Sequence, residues 1–327
     1  MKAILVGKDR ELLWSDVPDP VLGEDDVLVK IEAAALNRAD LMQREGDYPP
    51  PPGAPAWMGL EIAGTVVAVA EGAQKKSAWK IGDRVCALLG GGGYAEYANV
   101  RYDMLMPVPN GCSMVEAAAI PEAFATAYLN LFRIGGLQAG NTLLMNAGAS
   151  GLASVVIPMA RAFGVRVITT VQNAEKAESI RHLGAEIVVN TAEEDIVEVL
   201  RRELENGHPV DVAIDCLGGE VMGKCLPYLQ LDGRWIMIAA LAGKMTEIDL
   251  KNIYVRRVRI IGSTLRSRPP KEKAEILASL VRDVFPKVES GEVRPTIYRV
   301  LPITEAEEAH NILYRGENIG KVVLTVG

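Results

Sequence analysis

A chain of 327 residues that is 49% hydrophobic holds more than one core's worth of apolar material, because single cores stop growing at roughly 250–300 residues; two domains are expected. The formal charge of −7 gives no field for gathering polyanions and argues against nucleic acid as the main partner. Charges at Lys2, Lys8, Asp9 and Arg10 interrupt the opening stretch before a signal peptide can form, and no run approaches the roughly 18 apolar residues of a membrane span, so a cytoplasmic protein with no membrane partner is expected.

Residues 1–110 read as β-rich. Ala3–Val6, Asp26–Leu36 and Glu61–Ala70 are rich in β-branched residues and bounded by Gly, Pro and Asp, the pattern of strands. Between the last two lies Gly46–Pro55, with four consecutive prolines. Prolines cannot donate to a ladder, so this is a surface loop, either a stiff connector or a wall of a cleft. After Ser113 strands and helices alternate. Strand Thr142–Ala147 leads into helix Gly151–Gly164, in which Pro158 predicts a kink. Strand Val165–Val171, helix Ala174–Gly184, strand Glu186–Asn190 and helix Ala192–Leu204 follow, then strands Val210–Cys216, Gly233–Ala240 and Val258–Ser263 and the long helix Pro270–Gly291. Lys321–Val326 returns to strand character. The fold class is therefore α/β. A Rossmann-type, doubly wound parallel sheet over residues 117–291 is inserted in a β-rich domain made of residues 1–116 and 292–327.

Cys86, Cys112, Cys216 and Cys225 form no CxxC pair, and His182, His208 and His310 lie near none of them. Zinc sites need close ligand pairs, so the spacing gives no metal site.

The chemistry begins at Ala147–Ala153, between a strand and a helix. Gly148, Gly151 and Ala153, with Ser150 and Leu152 among them, make a G-x-x-G-x-A loop. Small residues there let the backbone approach a pyrophosphate, and the helix start supplies free N–H groups and partial positive charge. NAD-specific folds carry Asp or Glu at the end of the second strand to bind the ribose hydroxyl. Here the residues are Thr170, Val171, Gln172 and Asn173. No carboxylate repels a 2′-phosphate, and Lys176 is available to pair with one, unless it is an ordinary solvated helix residue beside Glu175. The expected cofactor is NADPH.

Several ordered motifs carry a resemblance that spans nearly the whole chain: AALNRADLMQREGDYPPPPGA (34–54), GLEIAG (59–64), KIGDRVCALLGGGGYAEY (80–97), AAAIPEAFATAY (117–128), DGRW (232–235), GSTLRSR (262–268) and NIGKVVL (318–324). In these the chain resembles the zinc-independent quinone oxidoreductases of the medium-chain dehydrogenase/reductase superfamily, and within them the tumour-suppressor-induced branch. The resemblance implies that the β-rich domain is GroES-like. Zinc-dependent members carry a metal-binding Cys where this chain has Asn37 and a His where it has Leu60, so it implies no zinc.

The resemblance also implies roles for individual residues. Asn37 and Tyr48 line the cleft beside the nicotinamide, and Thr126 and Ser150 lie near the ring and phosphates. Gly218 ends the fourth parallel strand, while Ala240 and Leu241 follow the fifth. Ser263, Leu265 and Arg266 border cofactor or acceptor, and Asn318 and Lys321 reach back from the C-terminal strand. Thr191 stands where zinc-free members carry Tyr, and Gln172 and Asn173 where they carry Gly or Ser. The expected activity is zinc-free hydride transfer from NADPH to a quinone or related conjugated carbonyl, with Tyr48 or Asn37 stabilising the developing oxyanion. The rivals are an NADPH-dependent double-bond reductase with Tyr48 as proton donor, and a non-catalytic NADPH-binding protein. A homodimer paired along the strand Ile253–Ser263 is also expected.

Overall fold

The structure is a computed structural model describing residues 1–327. Seven strands come first: β1 (Lys2–Val6), β2 (Leu12–Asp16), β3 (Asp26–Ala35), β4 (Glu61–Val69), β5 (Arg84–Leu88), β6 (Tyr97–Arg101) and β7 (Leu105–Pro107). Six more follow as β8 (Thr142–Met145), β9 (Arg166–Val171), β10 (Ile187–Asn190), β11 (Val210–Asp215), β12 (Leu229–Met237) and β13 (Arg259–Gly262), and the chain closes with β14 (Ile297–Pro302) and β15 (Lys321–Thr325). The molecule divides into two compact units, one of Met1–Ala125, Arg266–Gly291 and Pro295–Gly327, the other of Thr126–Leu265 with Glu292–Arg294.

In the first unit the strands run β14-β15-β3-β4-β5-β7, and β6 also pairs with β3. The ten-residue β3 is the spine. Along one edge it pairs with β4, while its other edge is shared between β6 at Asp26–Lys30 and β15 at Ala33–Ala35. Ala33, Ala34 and Ala35 are completely buried; small side chains there let helix Met114–Ala118 pack down on the sheet. Opposite, Gly64 pairs with Ile31 beside a register shift, and any Cβ at Gly64 would run into the Lys30 carbonyl.

In the second unit all six strands are parallel, in the order β10-β9-β8-β11-β12-β13. The order reverses between β8 and β11, where ligands bind in doubly wound folds. Leu144, Ile168, Ala213 and Trp235 form part of a buried core against Val199 and Leu200 of helix Ile196–Glu205. Their spacing on that helix is the one-faced apolar pattern that burial requires.

Several expected bounds move for local reasons. The helix expected from Gly151 spans Ala153–Ala162 and continues through Pro158. The one expected over 192–204 starts only at Ile196, because the Asp195 side chain caps Val197 N at 2.9 Å. The long helix splits into Pro270–Asp283 and Phe285–Glu289, since Pro286 cannot donate to the preceding turn. Ile253–Arg256, expected as strand, belongs to helix Leu250–Arg256, which ends where Arg257 adopts a left-handed φ of 54°. Arg266–Gly291, expected with the parallel sheet, lies instead in the first unit, where helix Pro270–Asp283 packs on β7 and the Tyr102–Met104 turn. Residues 117–125 also lie there.

Gly64→Ala should destabilise the protein by about 2 kcal/mol or more, because the clash falls on backbone that cannot yield. Urea unfolding measures this; an unchanged midpoint would show that β3 and β4 can part at that position.

Candidate functional site

In the second unit the expected cofactor residues follow the carboxyl ends of successive parallel strands. Gly148–Leu152 lies beyond β8, Gln172, Asn173 and Lys176 beyond β9, and Thr191 beyond β10. Gly218 follows β11, Ala240 β12 and Ser263 β13. The sheet therefore gathers them along one edge.

The loop after β8 is tightly built. Ala147 has a φ of 57°, and Gly148 N donates to Thr170 O at 2.8 Å. A Cβ on Gly148 would stand 2.5 Å from Thr169 Oγ1, so glycine is needed for contact with β9 as well as for ligand approach. Ser150 Oγ accepts Ala153 N at 3.1 Å and caps the helix. Gly151 and Leu152 donate no backbone N–H within the chain, which leaves two donors at the helix start for an anion.

At the end of β9, Asn173 caps the next helix by accepting Lys176 N at 2.9 Å, and Lys176 Nζ donates to the Gln172 amide oxygen at 3.2 Å. Thr191 Oγ1 donates to Val171 O at 3.0 Å and so joins the same corner. Thr126 lies in helix Pro121–Tyr128, its carbonyl accepting from Asn130.

An open groove of about 490 Å³ is lined by Met237–Ala240 and Gly262–Thr264. Ser263 is buried, yet its hydroxyl has no partner in the chain. An orphaned buried hydroxyl at a groove suits a polar ligand group. Leu265 is buried nearby in sequence. The edge is braced by Asp215, whose carboxylate accepts from Asn146 Nδ2 (3.0 Å), Leu217 N (2.8 Å), Gly218 N (3.2 Å) and Trp235 Nε1 (3.1 Å). A dinucleotide therefore fits this edge.

The first unit holds a polar cluster in its interior. Lys321 Nζ lies 2.6 Å from Glu61 Oε1 and donates to Leu36 O (2.6 Å) and Asn37 Oδ1 (2.7 Å). Asn37 Nδ2 donates to Glu61 Oε1 at 3.0 Å, and Glu122 N to Glu61 Oε2 at 2.9 Å. Glu61 and Lys321 are both buried. Lys321 is thus bound inside the unit rather than extended toward a ligand. Asn318, its neighbour in the motif, donates to Gly320 O at 2.7 Å.

Asp40 is also buried, accepting Asn37 N at 2.8 Å and Gly59 N at 3.1 Å. Burial pushes its carboxyl up to about 6, against the opposing effect of those two N–H groups and of Lys321. The Tyr94 phenol lies close enough to act on Asp40 but makes no hydrogen bond of normal geometry. Glu122 is half-buried, and burial followed by the charge of Glu61 pushes it up to about 7.

Tyr48 is held by Arg266. The guanidinium stacks 4.8 Å from the ring centroid and donates to Tyr48 O at 3.2 Å, to Gly90 O at 2.7 Å and to Gln43 Oε1 at 2.6 Å. One arginine so ties helix Arg38–Glu45, the proline loop and the glycine loop together. Burial raises the Tyr48 phenol, opposed by Arg266, so it carries its proton at neutral pH.

Sequence reading did not single out Asp40, Glu61, Glu122 or Asp215. Glu61, Glu122 and Asp215 stand within mostly apolar stretches, as in EIAG and AIPEAF, and a lone acid in such a run must find a buried partner.

This pairing of a dinucleotide edge with a separate β-rich unit defines a two-domain oxidoreductase. Residues 23–110 match the alcohol dehydrogenase GroES-like domain, and residues 151–282 the zinc-binding dehydrogenase family. The chain is 30% identical to the quinone oxidoreductase of Mus musculus, over 99% of this chain and 97% of that one. Among solved structures it resembles the Thermus thermophilus quinone oxidoreductase, solved also with NADPH (30% identity, TM-score 0.82, all of both chains), and a mycobacterial quinone oxidoreductase (28%, 0.86, all of both chains). The chain belongs to the quinone oxidoreductase family of the medium-chain dehydrogenase/reductase superfamily. No helix is long and apolar enough to cross a membrane, and no three His, Cys, Asp or Glu side chains are grouped to hold a metal ion.

Lys321→Met should cost about 3–5 kcal/mol, because it leaves Glu61 charged and unpaired in the interior. Adding Glu61→Gln should recover part of that loss. Denaturant unfolding of the four proteins of the cycle tests it; strictly additive losses would mean the pair is not coupled.

Proposed function

We propose that the protein reduces quinones or related conjugated carbonyls with NADPH and without a metal ion. The observation that carries this reading is the carboxyl edge of the parallel sheet, where free N–H donors, an acid-free second-strand end and the orphaned Ser263 hydroxyl follow one another. NADPH in the Thermus relative supports the cofactor.

Gly151 and Leu152 N–H, with the helix start, hold the diphosphate. Lys176, Gln172 and Asn173 take the 2′-phosphate, with Thr191 bracing their corner. Ala240, Ser263 and Gly218 border the nicotinamide end, and Ser150 and Thr126 complete that contact. Bound NADPH supplies hydride. A quinone is electron-poor already, so the chain needs to orient it, exclude water and stabilise the oxyanion that forms. We assign this last task to the Tyr48 O–H, immobilised by Arg266. The amide of Asn37 is engaged by Glu61 and Lys321, so its part is to hold the wall rather than to touch the acceptor.

We also infer a homodimer. The outer edge of β13 is unpaired within the chain, and Ile260, Tyr254 and Val255 are 41%, 69% and 53% exposed around it. Such an edge favours a second copy.

NADPH oxidation by the chelator-treated protein with para- and ortho-quinones tests the reading, and hydroquinone rather than saturated ketone is the expected product. Binding of NADPH without turnover would sink it. Lys176→Glu should raise the KM for NADPH about tenfold, as expected for losing a charge-assisted bond, and leave NADH nearly unaffected; equal effects on both cofactors would remove Lys176 from the phosphate site. Wild type should elute as a dimer on sizing chromatography and Ile260→Lys as a monomer, whereas a monomeric wild type would end the dimer inference.

A further inference from the structure

Arg266 is only 6% exposed, yet every oxygen that it bonds is neutral. Its guanidinium donates to Gly90 O at 3.0 and 2.7 Å, to Tyr48 O at 3.2 Å and to Gln43 Oε1 at 2.6 Å, and lies 4.8 Å from the Tyr48 ring centroid. Lys273 stands on the same wall. It is half-buried in the first turn of helix Pro270–Asp283, and its ammonium makes one contact, with Arg266 O at 3.3 Å. Neither cation forms an ion pair within the chain. Glu272, the acid of that helical turn, is engaged by Arg268, and the helix start adds partial positive charge of its own. Lys and Arg are seldom taken out of water without a partner, because an unpaired buried charge is costly. Two such cations joined through one carbonyl are therefore an unbalanced positive site.

We propose that Lys273 and Arg266 form an anion subsite beside Tyr48, and that the acceptor is a conjugated carbonyl carrying a carboxylate. This rests on the quinone-reductase reading, in which Tyr48 meets the acceptor oxygen. Lys273 supplies the contact, since most of its N–H donors and one on Arg266 Nη1 are not used within the chain. Arg266 supplies a second fixed charge while it holds the Tyr48 ring. A carboxylate drawn to Lys273 leaves the conjugated part of the acceptor to lie along the Arg266–Tyr48 stack, so the subsite orients as well as binds. Burial lowers both cations from their ordinary values, an effect that an anion beside them reverses. Glu122 faces both, but burial and the Glu61 charge push its carboxyl up to about 7, so at neutral pH it balances them only in part. The subsite adds no chemical step to the reduction.

Two measurements on the full-length protein test this. The first compares a para-benzoquinone bearing an acetate side chain with its methyl ester, NADPH being the reductant. Wild-type kcat/KM for the acid should exceed that for the ester about tenfold, mostly through KM, as for one charge-assisted bond at a half-buried cation. Lys273→Met should bring the acid-to-ester ratio to unity and Lys273→Arg should keep it. Arg266 is left in place because it also holds Tyr48. Added salt should lower the wild-type ratio, which tests the charge even where Lys273→Met fails to fold. The second measurement is calorimetry without turnover. Wild type should bind the hydroquinone of that acid more tightly than the hydroquinone of the ester, and Lys273→Met should lose the difference. Turnover of acid and ester with equal kcat/KM, a ratio indifferent to salt, or a preference that survives in Lys273→Met would each overturn the subsite and leave the quinone reading intact. Calorimetric preference for the acid with no turnover of either quinone would overturn the quinone reading and support the subsite as a binding site.

Discussion

The ion pair of Lys321 and Glu61 is the constraint on which the first unit depends. Taking both charges out of water costs several kcal/mol per ion, and that cost is offset only when geometry is good and remaining hydrogen-bonding capacity is met. Here it is met. Leu36 O and Asn37 Oδ1 take two further contacts of the ammonium, while Asn37 Nδ2 and Glu122 N address the carboxylate. The pair joins segments some 260 positions apart and fixes the exit of β3. From that exit helix Arg38–Glu45 departs toward Tyr48, so placing one ammonium also places the loop that carries the phenol. Burial raises the carboxyls of both Asp40 and Glu122; Lys321 opposes the rise at each, and Glu61 adds to it at Glu122.

Asp215 plays the corresponding part in the second unit, with a different solution. Its partners are neutral N–H donors, four in all. A carboxylate satisfied by dipoles needs no countercharge. By bonding Asn146, Trp235 and the turn at Gly218 it fixes the ends of β8, β11 and β12 at the switch point. Each unit thus hangs its working residues on one buried carboxylate. These polar networks constrain geometry more narrowly than apolar packing does, because an unmet buried bond costs more than a slightly loose contact.

The parallel sheet was legible in the sequence because its signals are local. Short apolar strands, amphipathic helices and the Gly148–Gly151 loop each announce themselves within about ten residues. Helix starts were less legible, since Asp195 as a cap outweighed the acidic residues before it. Within the helix Leu250–Arg256, Ile253–Arg256 reads as strand because apolar residues alternating with Arg fit either period in so short a run. The second-unit residues singled out from motifs follow consecutive strands, which a motif-by-motif reading could anticipate. The interior network could not be read this way. Lys321 pairs with residues far upstream, and nothing in NIGKVVL says whether its lysine reaches for a ligand or is consumed inside. The expectation that Arg266–Gly291 belongs with the parallel sheet fails for the same reason: its place in the first unit is decided by packing on β7, not by the helix's own pattern.

The metal question can be argued from charge. A Lewis acid is useful when a substrate must be polarised before hydride will move. A quinone is polarised already, and its reduction leaves an oxyanion that needs a hydrogen-bond donor more than a metal. A phenol raised by burial remains protonated at neutral pH and can donate. Arg266 stacked on Tyr48 opposes that rise and fixes the ring, which keeps the donor both charged with its proton and willing to share it. Under the proposed quinone-reductase reading, such a site would favour acceptors that take hydride unaided over simple ketones. On that reading, acceptor chemistry rather than any protein base would set the limit of what this arrangement reduces.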